Sequence, residues 1–186
     1  MKKFVVLSLI QLFFTTVVLA QAQIGSFYGL KLGMSISEVR SALRSQGATL
    51  GEDKSNFISV KKPKLGDITF DWLWLSFKDS KLVEGEFSAS DGRTVDDDWY
   101  DSALSVVSST ASTYKKFFNE MRLNYIAKYG NPKMENEEEI IWRKGENQIS
   151  LSYNFYDGPS RVVSGLHDVM AKINIIYKTA STNTNY

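Results

Sequence analysis

Apolar positions first fall into a clear helical rhythm at Ile36, Val39 and Leu43, spaced three and four apart so that they share one face. Ser35 stands just before them as an N-cap. Glu38 follows three residues later, which completes an S-x-x-E capping box. Met34 and Val39 occupy the positions of a hydrophobic staple. Gly47 sits where a left-handed residue ends a helix. The pattern predicts a helix over Ile36–Gln46.

The rhythm then changes to period two. "NFISVK" (Asn56–Lys61) reads as a strand, and so does "DITFDWLWLSFK" (Asp67–Lys78). In the latter, Ile68, Phe70, Trp72 and Trp74 fall on one face, and Leu73, Leu75 and Phe77 on the other. "DSK" (Asp79–Lys81) predicts a hairpin turn and "LVEGEFSAS" (Leu82–Ser90) the returning strand. Residues 91–112 are acidic and Ser/Thr-rich. They read as a connector with a short helix near Val95–Val107.

A second helix is predicted over Thr113–Pro132, where Tyr114, Phe117, Phe118, Met121 and Tyr125 recur at i, i+3, i+4, i+7 and i+11. Gly130 and Pro132 close it. Glu139–Lys144, Gln148–Phe155 and Ala171–Lys178 are further strands. Residues 179–186 offer little that packs and read as a disordered tail. The second half matches the first at an offset of about 83 residues: Gly47 falls on Gly130, and Ile68, Phe70 and Trp72 on Leu151, Tyr153 and Phe155. Hairpin spacing favours antiparallel pairing.

The expected fold is α+β. It is a two-layer domain over residues 23–178, an antiparallel sheet with helices on one face, made of two α-β-β-β repeats at about 29–90 and 113–178. Trp72, Trp74, Tyr153 and Phe155 then belong to equivalent strands. A strand apolar on both faces has one face more than the helices cover. Three outcomes answer this: a bulge that turns the strand midway, the connector folded over the sheet, or an apolar patch left for a partner.

Composition changes the setting more than the fold. Lys2 and Lys3, the apolar run Phe4–Ala20 and the small residues of "AQA" (Ala20–Ala22) have the form of a signal peptide cut before Gln23. Loss of 22 of the 186 residues leaves 164, enough for one core. It also leaves 20 basic residues against 21 acidic, so nothing draws the chain to nucleic acid or an anionic membrane. With no cysteine there is no thiol to lipidate and no disulfide. The expectation is a periplasmic or secreted protein, not inserted in the membrane after processing, whose stability rests on burial.

Chemistry is scarce. His167 is the one histidine; it adjoins Asp168 in a stretch that reads as a loop. No G-x-S-x-G elbow accompanies it. One histidine without thiols makes no zinc set. Asp96, Asp98 and Asp101 are a candidate calcium cluster, but their spacing is not that of an EF-hand and they equally suit the start of a helix. Glu84 and Glu86 share a strand face about 7 Å apart by strand geometry and read as solvated. No glycine-rich phosphate loop appears, and no cofactor is expected.

"GLKLGMSISEVRSAL" (Gly29–Leu43) resembles the opening of the BLIP-like domains of β-lactamase-inhibitor proteins and BamE/SmpA assembly lipoproteins, where G-M-[ST]-x-x-x-V introduces the helix. "AKYGNP" followed by "IIW" is similar to the helix-to-strand passage of such repeats. The lipidated cysteine of BamE/SmpA and the disulfides of the inhibitors are missing here. The resemblance implies a non-catalytic fold that binds other proteins across a sheet surface. It leads to one expectation: a non-enzymatic module that binds an envelope or extracellular protein through Trp72, Trp74 and Tyr153. The rival expectations are a lipid carrier, which needs an enclosed apolar pocket, and a carbohydrate binder, which would use the same aromatics.

Overall fold

The computed structural model describes residues 24–179; the signal-peptide reading of residues 1–22 and all but the first residue of the tail at 179–186 lie outside it. In chain order the elements are β1 (Ser26–Phe27), β2 (Leu30–Lys31), α1 (Ile36–Ser45), β3 (Leu50–Asp53), β4 (Phe57–Lys61), β5 (Lys64–Leu65) and β6 (Ile68–Thr69). There follow β7 (Trp72–Lys78), β8 (Lys81–Val95), α2 (Asp97–Tyr129), β9 (Met134–Glu135), β10 (Glu139–Lys144), β11 (Asn147–Pro159) and β12 (His167–Thr179). The fold is mixed α+β around a large antiparallel sheet of eight strands, in the order β3-β4-β7-β8-β12-β11-β10-β9. The pairs β1–β2 and β5–β6 form two small ribbons apart from it.

The start of α1 follows its sequence signals. The Ser35 side chain accepts from the Glu38 amide, and the Glu38 carboxylate accepts from the Ser35 amide at 2.7 Å. The Ser35 hydroxyl also donates to the Glu38 carboxylate at 2.6 Å, and this bond first, with that from the Ser35 amide, holds the carboxyl below its ordinary pKa. Val39 and Leu43 are wholly buried, and Gly47 adopts φ +67° just past the helix end. At the β7–β8 hairpin Asp79 and Ser80 both take positive φ, as a two-residue type I′ turn requires.

Three expectations about the chain fail. Residues 91–112 are no connector: β8 runs on to Val95, and α2 is one helix of 33 residues that absorbs both the expected short helix and the expected second one. At 1.5 Å per residue it is about 50 Å long. Asp96 caps it by accepting from the Trp99 amide, and Asp97 and Asp98 lie in its first turn, where the helix dipole favours negative charge. Its N-terminal half buries Ala103, Val107 and Ala111, four apart, against Val169 and Ala171 of β12. Small side chains on both sides let helix and sheet approach closely. Farther along, Phe117, Phe118 and Tyr125 enter the same apolar cluster as Val39 and Leu43 of α1. Thr179, placed by sequence in the tail, is the last residue of β12 and pairs with Asn147.

The expected strand Asp67–Lys78 is likewise broken. β6 ends at Thr69 and β7 begins at Trp72. Between them the Phe70 amide bonds to the Pro63 carbonyl and the Asp71 amide to that of Ser88. The Asp71 carboxylate accepts from Lys62 Nζ at 2.7 Å and from the Ser90 amide at 2.9 Å. The break turns Phe70 into the core with Leu73 and Leu75, all three fully buried. Trp72 and Trp74 go to the opposite face.

Candidate functional site

The eight-stranded sheet has a core side and an outer side, separated by the period-two burial of its strands. On the core side lie Leu73, Leu75, Phe87, Ile173, Ile175, Leu151 and Ile149. The outer side carries a cross-strand row that can be followed through six strands: Ser59, Trp74, Glu86, Ile176, Ser150 and Ile141. At about 4.8 Å between strands it extends roughly 24 Å. The neighbouring row runs Lys61, Trp72, Ser88, Asn174, Ser152 and Glu139.

Trp72, Trp74, Ile176 and Ile141 are each partly exposed. Small serines between them leave room beside the large rings. Two open hollows result, of about 540 and 330 Å³. Lys61, Trp72 and Trp74 line both and form the wall between them. The first is completed by Asp71, Lys62, Ser88 and Ser90, the second by Glu52, Phe57 and Ser59. The Trp72 ring leans over the bare backbone of Gly51, where a Cβ would stand 2.8 Å from Trp72 Cζ3. An alanine there would push the ring away.

Glu86 lies between Trp74 and Ile176. Burial raises its pKa above the ordinary carboxylate value; Lys172 works against the rise and Glu84 adds to it. At the middle of the second row, Asn174 Oδ1 is buried and has no donor. The outer face is thus a mixture of aromatic rings, aliphatic side chains, hydroxyls and a few charges of both signs.

Of the three expected partner-binding residues, the structure brings together only two. Tyr153 lies on the core side, with its ring 6.2 Å from that of Phe118 on α2. β11 runs unbroken through Leu151, Tyr153 and Phe155, whereas the matching strand turns over at Asp71. The offset of 83 therefore equates Phe70 with Tyr153, both on the core side, but Trp72 with Phe155, which face opposite ways.

The acidic and histidine candidates have other partners. Asp96 serves as the α2 cap, while Asp98 and Asp101 lie on the helix itself. Among the described residues no group of three or more His, Cys, Asp or Glu converges as a metal site. His167 opens β12 instead of sitting in a loop; its Nε2 lies 2.9 Å from Asp97 Oδ1 and its ring 4.9 Å from that of Tyr100. Asp168 accepts from Thr94 Oγ1, which together with the Arg161 amide holds its pKa low. Glu84 and Glu86 do share the outer side of β8, with Glu86 half-buried.

No family model, no curated protein and no solved structure matches this chain. The functional reading therefore rests on the residues themselves. Among the described residues no helix is long and apolar enough to cross a membrane.

Proposed function

We propose that the chain is an exported, non-enzymatic module that binds an envelope or extracellular protein across the outer side of its sheet, with Trp72 and Trp74 as the anchors. The observation that carries this reading is the row Trp74–Glu86–Ile176–Ser150–Ile141, flanked by Trp72: its large apolar members are partly exposed on the side of the sheet away from the core. Isolated exposed apolar residues are ordinary, but two neighbouring tryptophans continued by isoleucines at alternate strands of one row are a recognition feature. Tryptophan supplies the large, stiff contact area typical of interface hot spots. Serines and a balanced set of charges give such a surface its polar complement.

The BLIP-like resemblance of Gly29–Leu43 supports the same reading. So does the order of strands, in which a helix and four strands (α1, β3, β4, β7, β8) meet a second helix and four strands (α2, β9 to β12) at the antiparallel pair β8–β12. We read these as two related units joined edge to edge, with both helices layered on the core side. Each unit contributes one strand more than the α-β-β-β pattern of the sequence, and the outer face belongs to both.

Immobilised mature chain is expected to retain a partner from the envelope fraction of its own cells. The double variant W72A/W74A is expected to lose at least about 30-fold in affinity, the effect of a lost hot spot of ~2 kcal/mol, while still melting cooperatively. Retention of the partner by the double variant would overturn the proposal. So would binding of the wild-type chain to a glycan array with no protein captured, which would assign the same tryptophans to carbohydrate.

A further inference from the structure

A second site lies on the core side, away from the tryptophans. The ribbon β1–β2 turns through Tyr28 and Gly29, both at positive φ, and lays Phe27 flat on Tyr177 of β12, ring centroids 4.5 Å apart. Between this ribbon and the C-terminal half of α2 is an open slot of about 510 Å³. That is within the size of small-molecule sites. Its floor carries two tyrosines that are more than nine-tenths buried, Tyr125 and Tyr177, whose hydroxyls bond to each other.

That bond leaves one hydrogen unplaced. Two hydroxyls carry two hydrogens, and a single bond between them uses one. The hydroxyl that accepts must still donate its own hydrogen, and neither oxygen has another partner among the described residues. Burial keeps both phenols protonated far above neutral pH. One buried O–H of the tyrosine pair that lines the slot therefore has no acceptor among the described residues.

The charge around it has one sign. Lys31 and Lys128 are among the lining residues, and no Asp or Glu is. Neither lysine pairs with a carboxylate among the described residues, and Lys128 Nζ is held over the Tyr129 ring at 5.0 Å from its centroid. Phe27, Leu65 and Met121 supply apolar walls. An acceptor oxygen, negative charge and an apolar body are what the slot lacks.

We propose that this slot binds a medium-chain monocarboxylate, its carboxylate taking the free tyrosyl O–H between Lys31 and Lys128. The site is independent of the protein-binding face and survives if that reading fails. The rings of Phe27 and Tyr129 and the side chain of Met121 enclose the body of the ligand. The O–H passes between Tyr125 and Tyr177 by reversing the direction of their shared bond, so either phenol serves as donor.

The test uses the full mature chain with decanoate, and with decanol and decylamine as the neutral and cationic versions of the same body, followed by calorimetry. Decanoate is expected to bind at least tenfold more tightly than either. The single variants Y125F and Y177F each keep one hydroxyl and are expected to stay within about threefold of wild type. The double variant Y125F/Y177F keeps both rings and is expected to lose at least tenfold, as is K31Q/K128Q. W72A/W74A is expected to bind decanoate as wild type does. Equal binding of decanol, no binding of decanoate, or decanoate binding that persists in the double tyrosine variant would each overturn the assignment. A melting curve on each variant establishes that it is folded.

Discussion

Phe27 occupies the space that a side chain at Gly85 would need: a Cβ built on Gly85 falls inside contact distance of three atoms of the Phe27 ring. The ring is fixed there, stacked on Tyr177 and edge-on to Phe87 at 6.3 Å. A bare backbone in the central strand β8 is thus what lets the N-terminal ribbon dock on the sheet. Gly85→Ala is expected to destabilise by about 2–3 kcal/mol, as overpacking of a filled core does. Phe27→Ala should cost about 3–5 kcal/mol on its own. In urea denaturation the double variant should lose less than the sum, because removing the ring makes room for the new methyl group. Additive losses would show that Gly85 and Phe27 do not share that space.

Asp71 fixes the turn-over that sends the tryptophans outward. Its carboxylate accepts from the Ser90 amide and from Lys62. Asp71→Ala leaves the Ser90 amide without its acceptor and is expected to cost about 1–2 kcal/mol. The β6–β7 break should loosen as well. Faster hydrogen exchange at Ser90 and Phe70, with β11 and β12 unchanged, is the expected result.

Glu86 sets a pH dependence of definite sign. Its folded pKa lies above the unfolded value, chiefly through burial. Its contribution is therefore fully favourable below the unfolded pKa and is lost as pH rises through the folded one. Glu86→Gln is expected to raise Tm at pH 7 and to lose that advantage by pH 4. Glu38 runs the opposite way. Its carboxyl is held low by the bonds to Ser35, so its support for α1 is present above the ordinary pKa and fades as pH falls through the lowered one.

The four tryptophans are not equivalent. Trp142 is 1% exposed, donates Nε1–H to the Gly130 carbonyl at 3.0 Å and meets Tyr125 edge-on. Trp142→Ala is expected to cost about 3–5 kcal/mol. Trp72→Ala and Trp74→Ala, each removing a partly exposed ring, should cost less, about 1–2 kcal/mol apiece. A loss of Trp142 size at Trp74 would make Trp74 part of the core and take away its role on the outer face.

Much of this architecture was legible where one local rule acted alone. The Ser35–Glu38 box, the Ile36–Val39–Leu43 stripe and the Asp79–Ser80 turn form as their residues dictate. The region after Ser90 was not legible, for a physical reason. Ala103, Val107 and Ala111 make a true i+4 stripe, but of side chains so small that it carries little hydrophobic signal, and its worth lies in the close approach to Val169 and Ala171. The polar end of β8 is a strand because β12 pairs with it from Glu84 to Val95, a long-range partner invisible in the local pattern. The aromatic ladder keeps one phase in the sequence, but the bonds that the Phe70 and Asp71 amides donate to Pro63 and Ser88, and that Ser90 donates to Asp71, reset it at Asp71. Trp72 and Trp74 therefore share a face, as their spacing implies, whereas Tyr153, the counterpart of Phe70, faces the core.

The central claim is that a partner sits on the outer side of the sheet, and the chain's lack of cysteine permits a direct test. Single cysteines replacing Lys61 of β4 or Lys172 of β12 on the outer side of the sheet, or Lys116 on the exposed side of α2, each carry a short photo-activated cross-linker in the envelope fraction. The account predicts a covalent adduct with the same protein from Lys61→Cys and Lys172→Cys and none from Lys116→Cys. An adduct from Lys116→Cys with none from the two sheet positions would contradict it.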